Sequence, residues 1–62
     1  MSEYWCRWLD GHGRVISSEK MVCRDDDEAI AKVKAIVFAE NRNGFELWDG
    51  SRLVDIEQAR SE

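Results

Sequence analysis

The residue types best suited to nucleophilic, acid–base or zinc chemistry occur at three positions: Cys6, His12 and Cys23. Acid–base catalysis by His12 would need an orienting partner within hydrogen-bond reach, and Asp10 is the only carboxylate near it in sequence. No C-x-x-C or H-x-x-x-H spacing suggests a zinc site, and no base stands near either cysteine to activate it. We therefore expect no enzyme, metal or cofactor, with His12 a solvated turn residue and both cysteines small apolar strand residues.

The acidic run over residues 25–28 (Asp-Asp-Asp-Glu) could bind a cation or begin a helix. A calcium-binding EF-hand loop needs alternating oxygen ligands, a central glycine and a closing glutamate, and this sequence does not have them in register. Asp25 can instead accept a hydrogen bond from an unpaired backbone N–H, and carboxylates in a first turn offset the helix dipole. The run therefore predicts a helix start, and Asn43 or Gly44 suits the left-handed position that ends the helix.

The alternation of apolar segments and turn residues predicts the element order ββαββ. Aromatic residues are typical of strands, and the turns Asp10–Gly13 and Asp49-Gly50 are typical of hairpins. The predicted elements are strands over residues 3–9 and 14–23, a helix over about 26–40, and strands over 45–48 and 51–56. Together they predict one α+β domain over residues 1–56, an antiparallel sheet of two hairpins with the helix packed on one face. Residues 57–62 form a polar segment that we expect to be frayed.

The predicted register of the first hairpin sets the distance between the two cysteines. If Asp10 pairs with Gly13, Cys6 lies opposite Ser17 and Cys23 lies about 20 Å from Cys6. A disulfide requires Cα atoms within about 7 Å. We therefore expect two reduced thiols.

The predicted helix carries apolar residues on two sides. One side forms a stripe wide enough to cover a sheet: Ala29, Ile30, Val33, Ile36 and Val37. The other side collects Ala31, Ala35, Phe38 and Ala39. Either a second copy or another protein covers this second side, or the alanines are there as good helix formers and Phe38 wraps the edge.

Alternation along the strands predicts which side chains face the helix. The residues expected on the helix side are Tyr4, Cys6, Trp8, Phe45, Leu47, Val54 and Ile56. The residues expected on the opposite side are Trp5, Arg7, Leu9, Trp48 and Leu53. An antiparallel sheet covered by one helix leaves its other face open, and two tryptophans and two leucines there exceed what a monomer usually exposes.

Three explanations for this aromatic face remain open. The aromatic residues could pack among themselves beneath the arginine side chains of Arg7, Arg14 and Arg52. A second copy of the chain could cover them in a closed dimer. They could stack unpaired bases, as sheet aromatics do in proteins that bind single-stranded RNA.

Length and charge narrow the function classes. Nine basic against thirteen acidic residues give a net charge of −4, which disfavours nucleic-acid binding because such binding depends on neutralising phosphates. A chain of 62 residues can hardly wall a cleft of ~300 Å³ or more, as an enzyme usually requires. No apolar run approaches the ~18 residues of a membrane span, and Met1-Ser2-Glu3 does not open like a secretion signal, so we expect a cytoplasmic protein without membrane contact.

Three segments resemble a family of short bacterial proteins of unknown function that are common in alphaproteobacteria. They are Tyr4…Trp8-Leu9-Asp10…Gly13-Arg14-Val15, the run 25–29, and Glu46-Leu47-Trp48-x-Gly50-x-Arg52-Leu53-Val54. The resemblance covers most of residues 4–54 and departs from the family at Met21, where an aromatic residue is more usual, and in the longer polar tail. It implies a bacterial, soluble, stand-alone domain, and it carries no catalytic residue across.

Taken together, the sequence predicts a module that acts by protein association. The candidate interaction surface is Trp5, Arg7, Leu9, Trp48 and Leu53 on the sheet and Ala31, Ala35, Phe38 and Ala39 on the helix. The partner would be a second copy of the chain or another protein. Binding of single-stranded nucleic acid through the sheet aromatics is the alternative that the net charge disfavours.

Overall fold

The computed structural model describes residues 1–58, which form one antiparallel sheet and one helix in the order ββαββ. The elements are β1 (Ser2–Leu9), β2 (Val15–Cys23), α1 (Asp26–Glu40), β3 (Gly44–Asp49) and β4 (Arg52–Glu57). The strand order is β2-β1-β3-β4, so the first strands of the two hairpins pair at the centre and the second strands form the edges. The predicted α+β class is confirmed.

Strand β4 runs slightly past the predicted domain boundary at residue 56. Strand β4 extends to Glu57, one residue into the segment predicted as a frayed tail. The remainder of that prediction, over residues 59–62, lies outside the described residues.

Side-chain and backbone caps fix the ends of α1. The Asp25 carboxylate accepts a hydrogen bond of 2.9 Å from the backbone N–H of Glu28, as the acidic run predicts. At the other end, Asn41 adopts the left-handed conformation at φ 54° and its N–H bonds to the carbonyl of Val37. The prediction of Asn43 or Gly44 for this position is wrong, because the helix ends at Glu40 and the next residue already turns left-handed.

The core lies between α1 and one face of the sheet. Its fully buried residues are Tyr4, Cys6, Trp8, Cys23, Ala29, Val33, Phe45 and Leu47. The helix contributes the predicted stripe, with Ala29 and Val33 fully buried and Ile30, Ile36 and Val37 packed around them. Trp8 and Phe45 lie opposite each other in β1 and β3 and meet edge to face at 6.3 Å between ring centroids, a favoured aromatic geometry.

The first hairpin has a different register from the predicted one. The Asp10 N–H bonds to the carbonyl of Arg14, and a bulge follows in β2, so Cys6 lies opposite Glu19 rather than Ser17. Cys23 lies opposite Ser2, four residues beyond the partner of Cys6, which is ~13 Å along the strand. Both cysteines are free and buried, as expected.

A second bulge changes the facing of β4. The register passes from Leu47 opposite Asp55 to Trp48 opposite Leu53, which leaves Val54 as the extra residue. Residues directly opposite in an antiparallel pair share a face. Ile56 lies opposite Glu46 and therefore faces away from the helix, so its predicted place in the core is wrong. Val54 packs against the core as predicted.

Replacement of the helix cap tests this description of α1. We expect Asp25→Ala to lower the free energy of unfolding by about 1 kcal/mol, because one backbone donor loses its acceptor. Urea denaturation followed by circular dichroism measures the change. The matched control is Asp27→Ala, which removes the same charge two residues further along the exposed first turn. Equal losses in the two variants would contradict a specific capping role for Asp25.

Candidate interaction surface

The sheet face that points away from α1 is called the open face here. Strand register assigns it the residues Glu3, Trp5, Arg7 and Leu9 of β1, Val15, Ser18, Lys20 and Val22 of β2, Glu46 and Trp48 of β3, and Leu53 and Ile56 of β4. Parity within single strands identifies part of this set. The contributions of β2 and Ile56 require knowledge of which strands are neighbours and where the bulges fall.

An apolar row crosses the middle of the open face. Trp5 lies opposite Trp48, and Trp48 lies opposite Leu53, so the three side chains are lateral neighbours on β1, β3 and β4. Trp5 and Leu53 are each 43% exposed, and Ile56, on the same strand as Leu53, is 42% exposed. Large apolar side chains so close together on one uncovered face are typical of interaction sites.

Trp48 is held in place by two charged neighbours. Its indole N–H donates to Glu46 Oε1 at 3.1 Å, and the guanidinium carbon of Arg7 lies 5.6 Å from its ring centroid. For Trp48, this arrangement matches the first of the three explanations, in which the aromatic residues pack beneath arginine side chains. Trp48 is half-buried as a result. The arrangement does not extend across the face, because Arg14 pairs with Asp10 and Arg52 pairs with Asp26 and Asp49.

Leu9 does not belong to the exposed surface. It is only 4% exposed and lines a cavity of about 410 Å³ together with the turn residues 11–13, Glu46 and Ile56. The turn at the tip of the first hairpin and the end of β4 flank this part of the open face. The prediction that Leu9 is an exposed contact residue is therefore wrong.

The same cavity, at about 410 Å³, is larger than the cleft of ~300 Å³ that so short a chain is expected hardly to wall. It contains His12 but no catalytic arrangement that involves Asp10. The Asp10 carboxylate accepts from the backbone N–H groups of Arg14 and His12 at 2.9 and 2.8 Å and from the Arg14 side chain at 3.3 Å. These bonds, led by the one from the Arg14 backbone, lower the pKa of Asp10. Asp10 thus orders the turn backbone, and the described residues bring together no group of three or more metal-ligating side chains.

The cysteines lie in the core, away from this cavity. Burial, with a smaller contribution from the Glu19 carboxylate, raises the pKa of Cys6 to about 12. At neutral pH this thiol is therefore protonated and a poor nucleophile.

The acidic helix start lies on the helix side of the sheet, in a network that connects α1 with three of the four strands. The Tyr4 hydroxyl donates to Asp26 at 2.8 Å, and Arg52 donates to Asp26 at 3.0 and 3.1 Å and to Asp49 at 3.0 Å. The hydrogen bond to Asp26 and burial raise the pKa of Tyr4 to about 12, and the Arg52 guanidinium lowers the pKa of Asp26. The network ties β1, β3 and β4 to the start of α1.

The net charge of the open face is zero. Arg7 and Lys20 are balanced by Glu3 and Glu46, and the Lys20 ammonium lies 3.9 Å from the Glu3 carboxylate. Since the whole chain carries −4, the acidic excess lies elsewhere on the molecule. The open face therefore combines an apolar row with charges that cancel.

The second predicted patch lies on the back of α1. Ala31, Ala35, Phe38 and Ala39 are all exposed, and Phe38 is 91% exposed. Three of the four residues are alanines, so Phe38 is the only large apolar side chain that this patch offers to a partner. The open face offers several large apolar side chains.

Fold and surface together define a small α+β domain with one helix-covered and one open sheet face. Comparison of the chain with known protein families, curated proteins and solved structures finds no match. Over residues 1–58, α1 is too short and too polar to cross a lipid bilayer.

A pH titration tests the network around the only tyrosine. We expect the phenol of Tyr4 to ionise near pH 12 rather than near 10, as followed by phenolate absorbance. Because the folded-state pKa is raised, the stabilisation from this proton is complete below pH 10 and is lost as the pH rises toward 12. Asp26→Ala should return the pKa toward 10, whereas Asp27→Ala should leave it in place. A native pKa near 10 would contradict the hydrogen bond.

Thiol reactivity tests the assignment of both cysteines to the core. We expect an aromatic disulfide reagent at neutral pH to modify neither Cys6 nor Cys23 in the folded protein, because both are fully buried. In denaturant both should react. Rapid modification of either thiol under native conditions would contradict the packing described.

Proposed function

We propose that this protein acts by binding another polypeptide through the open face and is not itself an enzyme. The observation that carries the proposal is the row of Trp5, Trp48 and Leu53, whose outer members are each 43% exposed on a face that α1 does not cover. Tryptophan and arginine are the residues most enriched among side chains that dominate binding energy at protein interfaces. Both occur at the centre of the open face.

The energetics of the row support binding of moderate strength. Completing the burial of each half-exposed apolar side chain contributes about 1 kcal/mol, and Trp5, Val22, Leu53 and Ile56 all offer such a gain. Trp48 is already fixed by Glu46 and Arg7, which reduces the ordering cost of association. A partner with a flat apolar surface of its own is the kind that fits this face.

Two features speak against the other function classes. A catalytic role finds little support, because the potential nucleophile Cys6 is buried and its pKa is raised to about 12. Stacking of unpaired bases on Trp5 and Trp48 would use the right side chains, but the open face has no excess of positive charge with which to neutralise phosphates. Protein association needs no such excess.

We place this activity in the bacterial cytoplasm. Two buried free cysteines are typical of a reducing compartment, and the resemblance of the three motif segments to a family of small bacterial proteins supports the same setting.

Site-specific photo-cross-linking tests the proposal. A photoreactive phenylalanine analogue replaces Leu53 on the open face, Phe38 on the helix back, or Ser51 in the adjacent turn, all of them exposed positions. We expect irradiation of living cells to produce an adduct with a second polypeptide from position 53. Ser51 is the control for random collisions. No adduct from position 53, or adducts from position 38 alone, would contradict the proposal.

A further inference from the structure

We infer that the partner of the open face is a second copy of this chain, packed face to face about a twofold axis that runs along the strands between β1 and β3. The inference rests on the proposed function and identifies its partner. The assembly is a two-layer sheet sandwich with one helix on each outer side.

The strand order makes the open face suitable for such an axis. The order β2-β1-β3-β4 places the gap between β1 and β3 at the centre of the sheet. A twofold axis along that gap sets β1 of one copy over β3 of the other, and β2 over β4. Aligned packing of two twisted sheets, at about −30°, is a common arrangement, and closed twofold dimers are the commonest assemblies.

Charge complementarity at the centre points to the same axis. Arg7 and Glu46 lie directly opposite each other on β1 and β3, so rotation about the gap between them sets each Arg7 over the partner's Glu46. Among the residues that the structure describes, neither forms a salt bridge: Arg7 lies over the Trp48 ring and Glu46 accepts the Trp48 indole N–H. Their charges are therefore available to a second copy, and two ion pairs form per dimer.

The apolar row is self-complementary under the same rotation. Trp5 and Trp48 are the next opposed pair along β1 and β3, so Trp5 of each copy meets Trp48 of the partner subunit. Because the charges of Arg7, Lys20, Glu3 and Glu46 cancel, two copies approach without like-charge repulsion at this face, although each carries −4 overall. The acidic helix starts lie on the outer sides.

The area of the face fits a weak but specific dimer. Four strands spaced by about 4.8 Å and about 24 Å long on average give a footprint of roughly 450 Å² per copy. Both copies together bury roughly 900 Å², close to the ~1,000 Å² at which interfaces become specific and in the range of weak complexes. The dimer should therefore dissociate on dilution.

Charge reversal and mixing test the inference. The variants Arg7→Glu and Glu46→Arg place like charges opposite each other in their own dimers, whereas a heterodimer of the two variants restores both ion pairs. By sedimentation velocity we expect a concentration-dependent wild-type dimer, about tenfold or greater weakening in each variant alone, and recovery of the dimer in an equimolar mixture. Circular dichroism establishes that each variant is folded.

A matched control separates pairing from general charge effects. Lys20→Glu makes the same charge change as Arg7→Glu on the same face but lies on the edge strand β2, away from the axis. Lys20→Glu should itself still dimerise, and mixing it with Glu46→Arg should give no more dimer than the two variants form separately. A dimer insensitive to both central variants, or the absence of recovery on mixing, would overturn the twofold arrangement.

The two proposals fail differently. A wild-type chain that stays monomeric while position 53 cross-links to a different protein overturns the second copy as partner and leaves the proposed function intact. A monomeric chain with no adduct from position 53 overturns both.

Discussion

One short helix can cover only one face of a four-stranded sheet, and the surface of this protein follows from that constraint. Helix α1 contributes a single apolar stripe centred on Ala29 and Val33, which closes the core over one face. The strands nevertheless carry large apolar residues at both parities, so a second apolar set remains on the other side. Over residues 1–58 no further helix or strand covers that set, and this observation supports the proposal of association.

Charged side chains have different roles on the two faces of the sheet. On the helix side, the Tyr4–Asp26–Arg52 network and the Asp25 cap use acidic residues to fix the start of α1. On the open face, Arg7 and Glu46 use their contacts to orient Trp48. Asp25 and Asp26 thus stabilise the fold, whereas Arg7 and Glu46 orient a side chain of the surface.

The sequence was sufficient to predict the element order, the helix stripe and the uncharged inner parity of β1, because each depends on local periodicity and turn chemistry. It was insufficient for Leu9 and Ile56. Leu9 and Ile56 each lie next to a bulge, where one strand has an extra residue. Such a residue shifts the register by one, which changes the face or the burial of the following side chains, and the apolar pattern of the sequence does not show it. The pairing of β1 with β3, which builds the apolar row, is a long-range property that periodicity does not encode.

The response of the three tryptophan indole N–H signals to dilution, followed by NMR, tests association through the open face. Over about a hundredfold range of concentration, we expect progressive shifts for Trp5 and Trp48, which lie on the open face, and a constant signal for Trp8, which is fully buried in the core. Constant signals from all three, with shifts confined to residues around Phe38 on the helix back, would contradict association through the open face.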